Sequence, residues 1–244
     1  MPRIRGKIMK YKKSLTIAIV IIVCIGLATV SWIYGFTVVS AQEEENVVRS
    51  ETFDPVVFVD EIWESRIIST ITEEAFDLSV GLGEMKTDDG GLISKDSLIP
   101  ITNEYGRITV GEAHVYMVKG QGKIVDVDTE SSTGTLELSL DGYTGPIKVK
   151  LYIGPRIPSD ESSVRDAVGF INFGDFKEQT EYGKVAAEIN NRSLSQVDLP
   201  SDKDSLQDKM ISFYGAFTIR TFNLVEIELE EVKIVPIQID IVEV

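Results

Sequence analysis

Strand-length runs at His114–Val127, Thr135–Leu140 and Ile147–Ile153 are followed by a helically spaced stretch and two more strand runs, Met210–Ile219 and Val232–Val242. That is the element order of an OB-fold, a five-stranded Greek-key barrel. A helical stretch precedes these runs, and a long uncharged apolar segment precedes everything else. The predicted class is therefore mainly β with α: an OB-fold-like five-stranded barrel plus a small helical subdomain, preceded by one transmembrane helix. The divisions are a basic cytoplasmic tail over 1–13, the spanning helix over 14–39, a linker over 40–53, the helical subdomain and a connector over 54–106, and the barrel with its inserted helix over 107–244.

The chain has 244 residues, of which 43% are hydrophobic and 26% charged, enough for one medium domain with a satellite. Lys+Arg number 24 against 39 Asp+Glu. Arg3, Arg5, Lys7, Lys10, Lys12 and Lys13 all precede Ser14 in a segment without acids, so the rest of the chain is strongly acidic. An acidic body repels nucleic-acid phosphates, so no nucleic-acid partner is expected. Cys24, the single cysteine, has no intramolecular disulfide partner.

Ser14 to Val39 is uncharged and longer than the ~20 residues a helix needs to cross a bilayer. Basic residues lie before it and Glu43, Glu44 and Glu45 after it, which places the N-terminus in the cytoplasm and the body outside. Trp32 and Tyr34 suit the outer interface. A cleaved signal peptide competes with this retained anchor, because Val39-Ser40-Ala41 offers small residues for cleavage. The usual apolar region of a signal peptide is shorter, ~7–15 residues, which favours the anchor. Cys24 follows the bulky Ile21-Ile22-Val23 where a lipidation motif has small residues, and it reads as a buried membrane cysteine.

Gln42 to Thr52 is polar and acidic, a juxtamembrane linker. Asp54-Pro55 starts a helix, with Asp accepting from free first-turn N–H groups and Pro sacrificing no bond at the first position. Val56, Val59, Trp63 and Ile67 form its apolar stripe. A second helix is expected from Thr72 to about Leu82, with Ala75, Leu78 and Leu82 inward and Gly81 and Gly83 ending it. Lys86 to Gly106, with Asp88-Asp89-Gly90-Gly91, reads as a mobile connector. In the barrel, Gly120-Gln121-Gly122 marks a bend in the long first strand, and Pro236 requires an edge or a bulge in the last. The inserted helix is expected over Phe176–Asn190, with Val185, Ala186 and Ile189 inward.

The densest grouping of polar and aromatic side chains lies between Tyr152 and Tyr182. Arg165-Asp166 can clamp a polar ligand, or form a salt bridge that fixes the loop before Phe170. Phe170, Phe173, Phe176 and Tyr182 can stack on a sugar or base, or fill core. Asn172, Asp175 and Gln179 add hydrogen-bonding groups, with Asp175 also suited to cap the following helix. OB barrels bind across an open strand face bordered by loops, so the expected ligand-binding face comprises Tyr105, Arg107, Arg165, Asp166, Asn172 and Gln179.

His114 is the sole histidine and lacks cysteine partners, so it reads as a strand residue and no metal is expected. Asp126-Val127-Asp128 and Asp202–Asp204 lack the spacing of a calcium loop. No phosphate loop, nucleophile elbow or metalloprotease helix is present, so neither catalytic residues nor a cofactor is expected. Asn191-Arg192-Ser193 matches the glycosylation pattern.

Phe53-Asp54-Pro55 with Ile62-Trp63, Tyr105-Gly106-Arg107, Val118-Lys119-Gly120-Gln121-Gly122, Gly154-Pro155, Arg165-Asp166, Phe170–Phe173, Asp175-Phe176, Gln179 and Phe213–Phe217 carry a further signal. Through them the chain resembles a bacterial family of predicted periplasmic lipoproteins, a domain of unknown function often encoded beside sugar transporters of the ribose type. The resemblance implies a helical subdomain on an OB-like barrel, and it supplies no catalytic residues. Two departures stand out: no lipidation-motif cysteine is evident, and Glu178 stands where asparagine is expected before Gln179. The expected role is a membrane-anchored extracytoplasmic binding or accessory protein, not an enzyme, with sugar ABC transporter components implied as partners by the resemblance. The alternative is an envelope hydrolase acting on glycans through paired carboxylates around Asp166 and Asp175.

Overall fold

A computed structural model of the chain describes residues 53–197 and 199–242. The expected cytoplasmic tail, spanning helix and most of the linker lie outside these residues. Among the described residues, no helix is long and apolar enough to cross a membrane.

The first helical stretch starts where the sequence places it. The Asp54 carboxylate accepts from the Val56 amide at 2.9 Å, and Pro55 is the first residue of helix α1, Pro55–Ile62. The helical path continues through a π turn, Trp63–Ile68, into α2, Ser69–Glu74. Val59, Trp63, Ile67 and Ile71 are buried along one side, and the Trp63 indole donates to Gln196 Oε1 at 2.5 Å.

The expected helix from Thr72 to Leu82 is two elements. Ala75 is extended and ends α2. A two-residue strand β1, Phe76–Asp77, follows, and Asp77 then caps α3, Leu78–Glu84. Ala75, Leu78 and Leu82 are buried as expected.

The supposed connector Lys86–Gly106 is also structured. It contains strand β2, Leu92–Ser94, and helix α4, Lys95–Tyr105, which carries Pro100 inside it. Ser94 caps α4 by accepting from the Ser97 amide at 3.2 Å, and Leu98, Ile101 and Thr102 are buried. That tertiary burial outweighs the backbone bond that proline removes.

A short strand β3, Gly106–Ile108, leads through a tight turn into β4, Ala113–Asp128. The remaining ring strands are β5, Thr135–Leu140; β6, Lys148–Tyr152; β7, Met210–Arg220; and β9, Glu231–Val242. Strand β8, Glu226–Glu228, pairs with β2 apart from them. Strand β4 pairs with β5 and β5 with β6, all antiparallel. Strand β6 runs parallel to β9, β9 pairs antiparallel with β7, and β7 pairs antiparallel with β4. The five expected strands thus hydrogen-bond in a ring.

Between β6 and β7 lie α5, Ser163–Ala167, a 3₁₀ turn at Phe173–Asp175, and α6, Gln179–Gln196. The N-cap of α6 is Glu178, in a reciprocal box with Glu181. Asp175 therefore does not cap this helix. Its carboxylate accepts from the Asn172 amide at 3.0 Å and closes the 3₁₀ turn.

Two apolar clusters sit on opposite faces of the sheet. One holds Tyr116 and Val118 of β4 with Phe213 and Phe217 of β7 and reaches α3 and α4. The other packs Val115 and Met117 against α1, α5 and α6 through Val59, Trp63, Val164 and Ile189. Burial of both faces accounts for the unbroken apolar run Val115–Val118. Gly120 faces Phe213, and a β-carbon there would lie 2.9 Å from that ring, so the glycine answers a packing need. Pro236 sits beside a register shift between β7 and β9, where Gly215 faces Pro236 and Tyr214 faces Gln238. The inward positions of β9 pass from Val232 and Ile234 to Ile239 across it, the consequence of one inserted residue.

Candidate functional site

Three segments converge on one cleft of about 790 Å³: the β3–β4 hairpin, the stretch from α5 to the 3₁₀ turn, and the first turns of α6. Arg107, Arg165, Asp166, Asn172 and Gln179 all border it. Tyr105 does not. It lines a neighbouring cleft of about 320 Å³ with Glu74 and Glu104, and Arg107 borders both spaces. The Tyr105 hydroxyl donates to Glu84 at 3.0 Å, and that bond, ahead of burial, pushes its pKa up to about 12.

The cleft floor is a locked ion pair. Arg165 Nε donates to Asp166 Oδ1 at 2.8 Å, and its Nη2 lies 2.7 Å from the same oxygen. A third donor reaches the Tyr182 carbonyl at 3.1 Å, while the Tyr182 hydroxyl donates to Asp166 at 3.0 Å. Ser162 Oγ donates to the other Asp166 oxygen at 2.7 Å. The guanidinium also lies over the Tyr182 ring. Burial, then the Asp166 charge, raises the Tyr182 pKa, which keeps that hydroxyl a donor. Both charged side chains are almost fully covered. The salt-bridge reading of Arg165-Asp166 therefore describes the geometry, and the pair holds the Tyr182 wall in place.

Arg107 is differently placed. Its side chain is half exposed, makes no hydrogen bond to any described residue, and forms a loose surface ion pair with the half-exposed Glu74 at 3.5 Å, which leaves most of its donors uncommitted. It lies against Gly169, whose φ of +71° suits glycine. The Gln179 side chain likewise has no described hydrogen-bond partner and borders the cleft. Asn172 is largely committed to its own turn, donating weakly to the Phe170 carbonyl at 3.4 Å. The directed groups still open to a ligand are thus Arg107 and Gln179.

The aromatic residues divide in the same way. Phe176 packs with Phe53, Phe58 and Tyr182. Phe170 lies under Arg66, 3.8 Å from its guanidinium carbon. Phe173 is 56% exposed and meets Tyr182 edge-on at the rim. Ile108 and Val110, which border the same cleft, are also exposed. The chemistry on offer is a cation and an amide between apolar walls. Asp175, the second carboxylate of the hydrolase alternative, is held in the Asn172 turn.

The hairpin residues Ile108–Gly111 and Gly169 were absent from the sequence reading. Their sequence signals are faint: Gly111 and Gly169 are lone glycines, each following a valine.

His114 does not border the cleft, although it stands opposite Ile108 in the hairpin. It is buried in β4, with Nδ1 2.6 Å from Thr102 Oγ1, which also contacts the Tyr116 hydroxyl at 2.6 Å. Its Nε2 is buried without a partner among the described residues. Burial, and secondarily Lys95, lowers its pKa.

A family model described as "Predicted periplasmic lipoprotein (DUF2291)" matches residues 20–240. The crystal structure of an OB-fold protein from Thermotoga maritima is similar in fold, with a TM-score of 0.56 at 15% identity. The similarity covers 79% of this chain and 100% of that one. No curated protein matches.

Proposed function

Because this chain belongs to that family of predicted periplasmic lipoproteins, we propose that it is an extracytoplasmic, membrane-associated binding or accessory protein whose ligand occupies the Arg107–Gln179 cleft. The observation that carries this reading is the convergence of Arg107, Arg165, Asp166, Asn172 and Gln179, from separate stretches of chain, on one space of about 790 Å³. That volume lies in the range of small-molecule and peptide pockets. Arg107 supplies the cation, Gln179 a donor and an acceptor, and the Arg165–Asp166 pair fixes the wall behind them.

A thermal-shift screen of sugars, nucleosides and short peptides on the full chain in detergent tests this. A stabilising compound whose effect vanishes in Arg107→Ala supports the cleft. A compound acting equally on both proteins places the site elsewhere.

Attachment through Ser14–Val39 as an uncleaved single-pass helix is the proposed anchor, supported by the length of that run and by the bulky residues before Cys24. The family description favours a second reading, lipidation of Cys24. Intact-mass measurement of the membrane-extracted protein separates them: an unprocessed N-terminus supports the helix, and a chain starting at a diacylglyceryl Cys24 supports the lipid. Assistance to a sugar transporter is only what the resemblance implies, and recovery of the protein without transporter components under mild detergent counts against it.

A further inference from the structure

Among the described residues strand β3 pairs with β4 alone, which leaves its other edge without a strand partner there. Five consecutive residues, Arg107 to Gly111, border the cleft. Of these, Arg107 and Ile108 are neighbours within β3, where side chains alternate between faces, so the cleft reaches the edge of that strand, and Thr109 to Gly111 continue its border along the turn.

The hydrogen-bonding phase of the hairpin fixes which main-chain groups point outward. The Thr109 amide donates to the Ala113 carbonyl at 2.9 Å, and Arg107 lies opposite Val115. Antiparallel pairs alternate between bonded and non-bonded types, so Arg107–Val115 is bonded and Ile108–His114 is not. The Ile108 N–H and C=O therefore point away from β4. The Gly106 carbonyl points the same way, while the Gly106 amide is taken by the Thr102 carbonyl of α4. Natural sheets blunt open edges with charge, proline or a covering element. Here the edge residue Ile108 and the turn residue Val110 are exposed, and Phe173 is exposed on the same cleft.

We propose that the cleft takes an extended polypeptide segment that adds to the edge of β3, with a carboxylate of that segment at Arg107. Main-chain bonds to Ile108 and Gly106 supply affinity without sequence, as strand addition does elsewhere. Selectivity comes from the walls. Phe173, Ile108 and Val110 take apolar side chains, and Arg107 pairs with one carboxylate in a fork geometry that a guanidinium matches. The strongly acidic body opposes segments rich in acids, so a largely apolar segment with one carboxylate fits best.

This proposal rests on the cleft being the binding site, and its test separates the two claims. Random peptides displayed on phage are selected against the full chain in detergent, and the enriched sequences are resynthesised with single N-methyl groups at each position. The expected result is binding that falls at least tenfold on N-methylation at alternate positions, and at least tenfold in Arg107→Ala. Hydrogen exchange at the Ile108 amide should slow by a similar factor on binding. Ile108→Pro removes that outward donor without breaking a ladder bond, and should weaken the peptides while leaving the thermal midpoint near that of the wild type. Failure to enrich any peptide overturns strand addition, as do binders that tolerate N-methylation throughout and leave Ile108 unprotected. Should a sugar or nucleoside still stabilise the protein through Arg107, the cleft stands and the peptide falls. If neither class binds through Arg107, both fall.

Discussion

The guanidinium carbon of Arg165 sits 3.6 Å from the centre of the Tyr182 ring, and the hydroxyl of that tyrosine donates to Asp166, the partner of the arginine. Charge, ring and carboxylate form a closed set that joins α5 to α6 beneath the cleft. Truncating Arg165 to alanine leaves Asp166 covered and uncompensated, so the loss of stability should be about 3 kcal/mol. Removing Asp166 as well should recover part of it. Chemical denaturation of the two single variants and the double variant measures the coupling.

Gly169→Ala tests the seat of Arg107. The added β-carbon meets the guanidinium, and the left-handed backbone at φ +71° disfavours alanine. The backbone alone should cost about 1–2 kcal/mol. Ligand binding should fall as far as in Arg107→Ala, measured by the ligand-induced shift in thermal midpoint. Binding unchanged in Gly169→Ala would show that the arginine needs no such support.

Phe173 should behave in the opposite way. It is more exposed than covered, so Phe173→Ser should alter stability by less than about 0.5 kcal/mol. Affinity for any cleft ligand should drop severalfold, because an apolar wall is gone.

A fourth expectation concerns pH. The folded state holds the His114 pKa below its usual 6.5, through burial and Lys95, with Glu112 acting against them. Below pH 6.5 the unfolded chain takes up a proton that the folded chain refuses. The stability contributed by neutral His114 is therefore complete above 6.5 and falls as the pH drops towards the lowered folded value. Comparing thermal midpoints at pH 7.5 and 5.5 for wild type and His114→Gln isolates this contribution from the carboxylates. The variant should show the shallower decline.

The five ring strands were legible because their apolar runs end at clear turn signals, such as Ser132-Thr133-Gly134 and Asp141-Gly142. Helix α4 was not. Pro100 and the Asp88-Asp89-Gly90-Gly91 run argue against a helix locally, whereas Leu98, Ile101 and Thr102 are fixed by burial that no local pattern encodes. The division between α2 and α3 was hidden for a related reason. Ala75 favours helix, and its extended backbone is set by the Phe76–Val118 pairing with a distant strand.

At the cleft, five of the six expected residues came together because directed polar groups in loops mark themselves. The hairpin edge did not, since exposed Ile108 and Val110 look like any strand residues until their partners are known. Tyr105 was misplaced by one side of Arg107, and that arginine separates the two clefts.

Closure of the ring carries a consequence for how the chain acquires its shape. Strands β4, β5 and β6 are neighbours in sequence and can pair as a meander with short loops. The seam between β4 and β7 joins distant parts of the chain, as the bond from Thr221 to the Glu112 carbonyl, 109 residues away, illustrates. Bringing such ends together demands loop-closure entropy before any seam contact forms, which makes folding slow for a domain of this size. A chain made N-terminus first presents its meander before its closing strands have arrived. Until β7 and β9 arrive, the edges of β4 and β6 that they will cover stay open, and like charge on the acidic chain opposes pairing between copies.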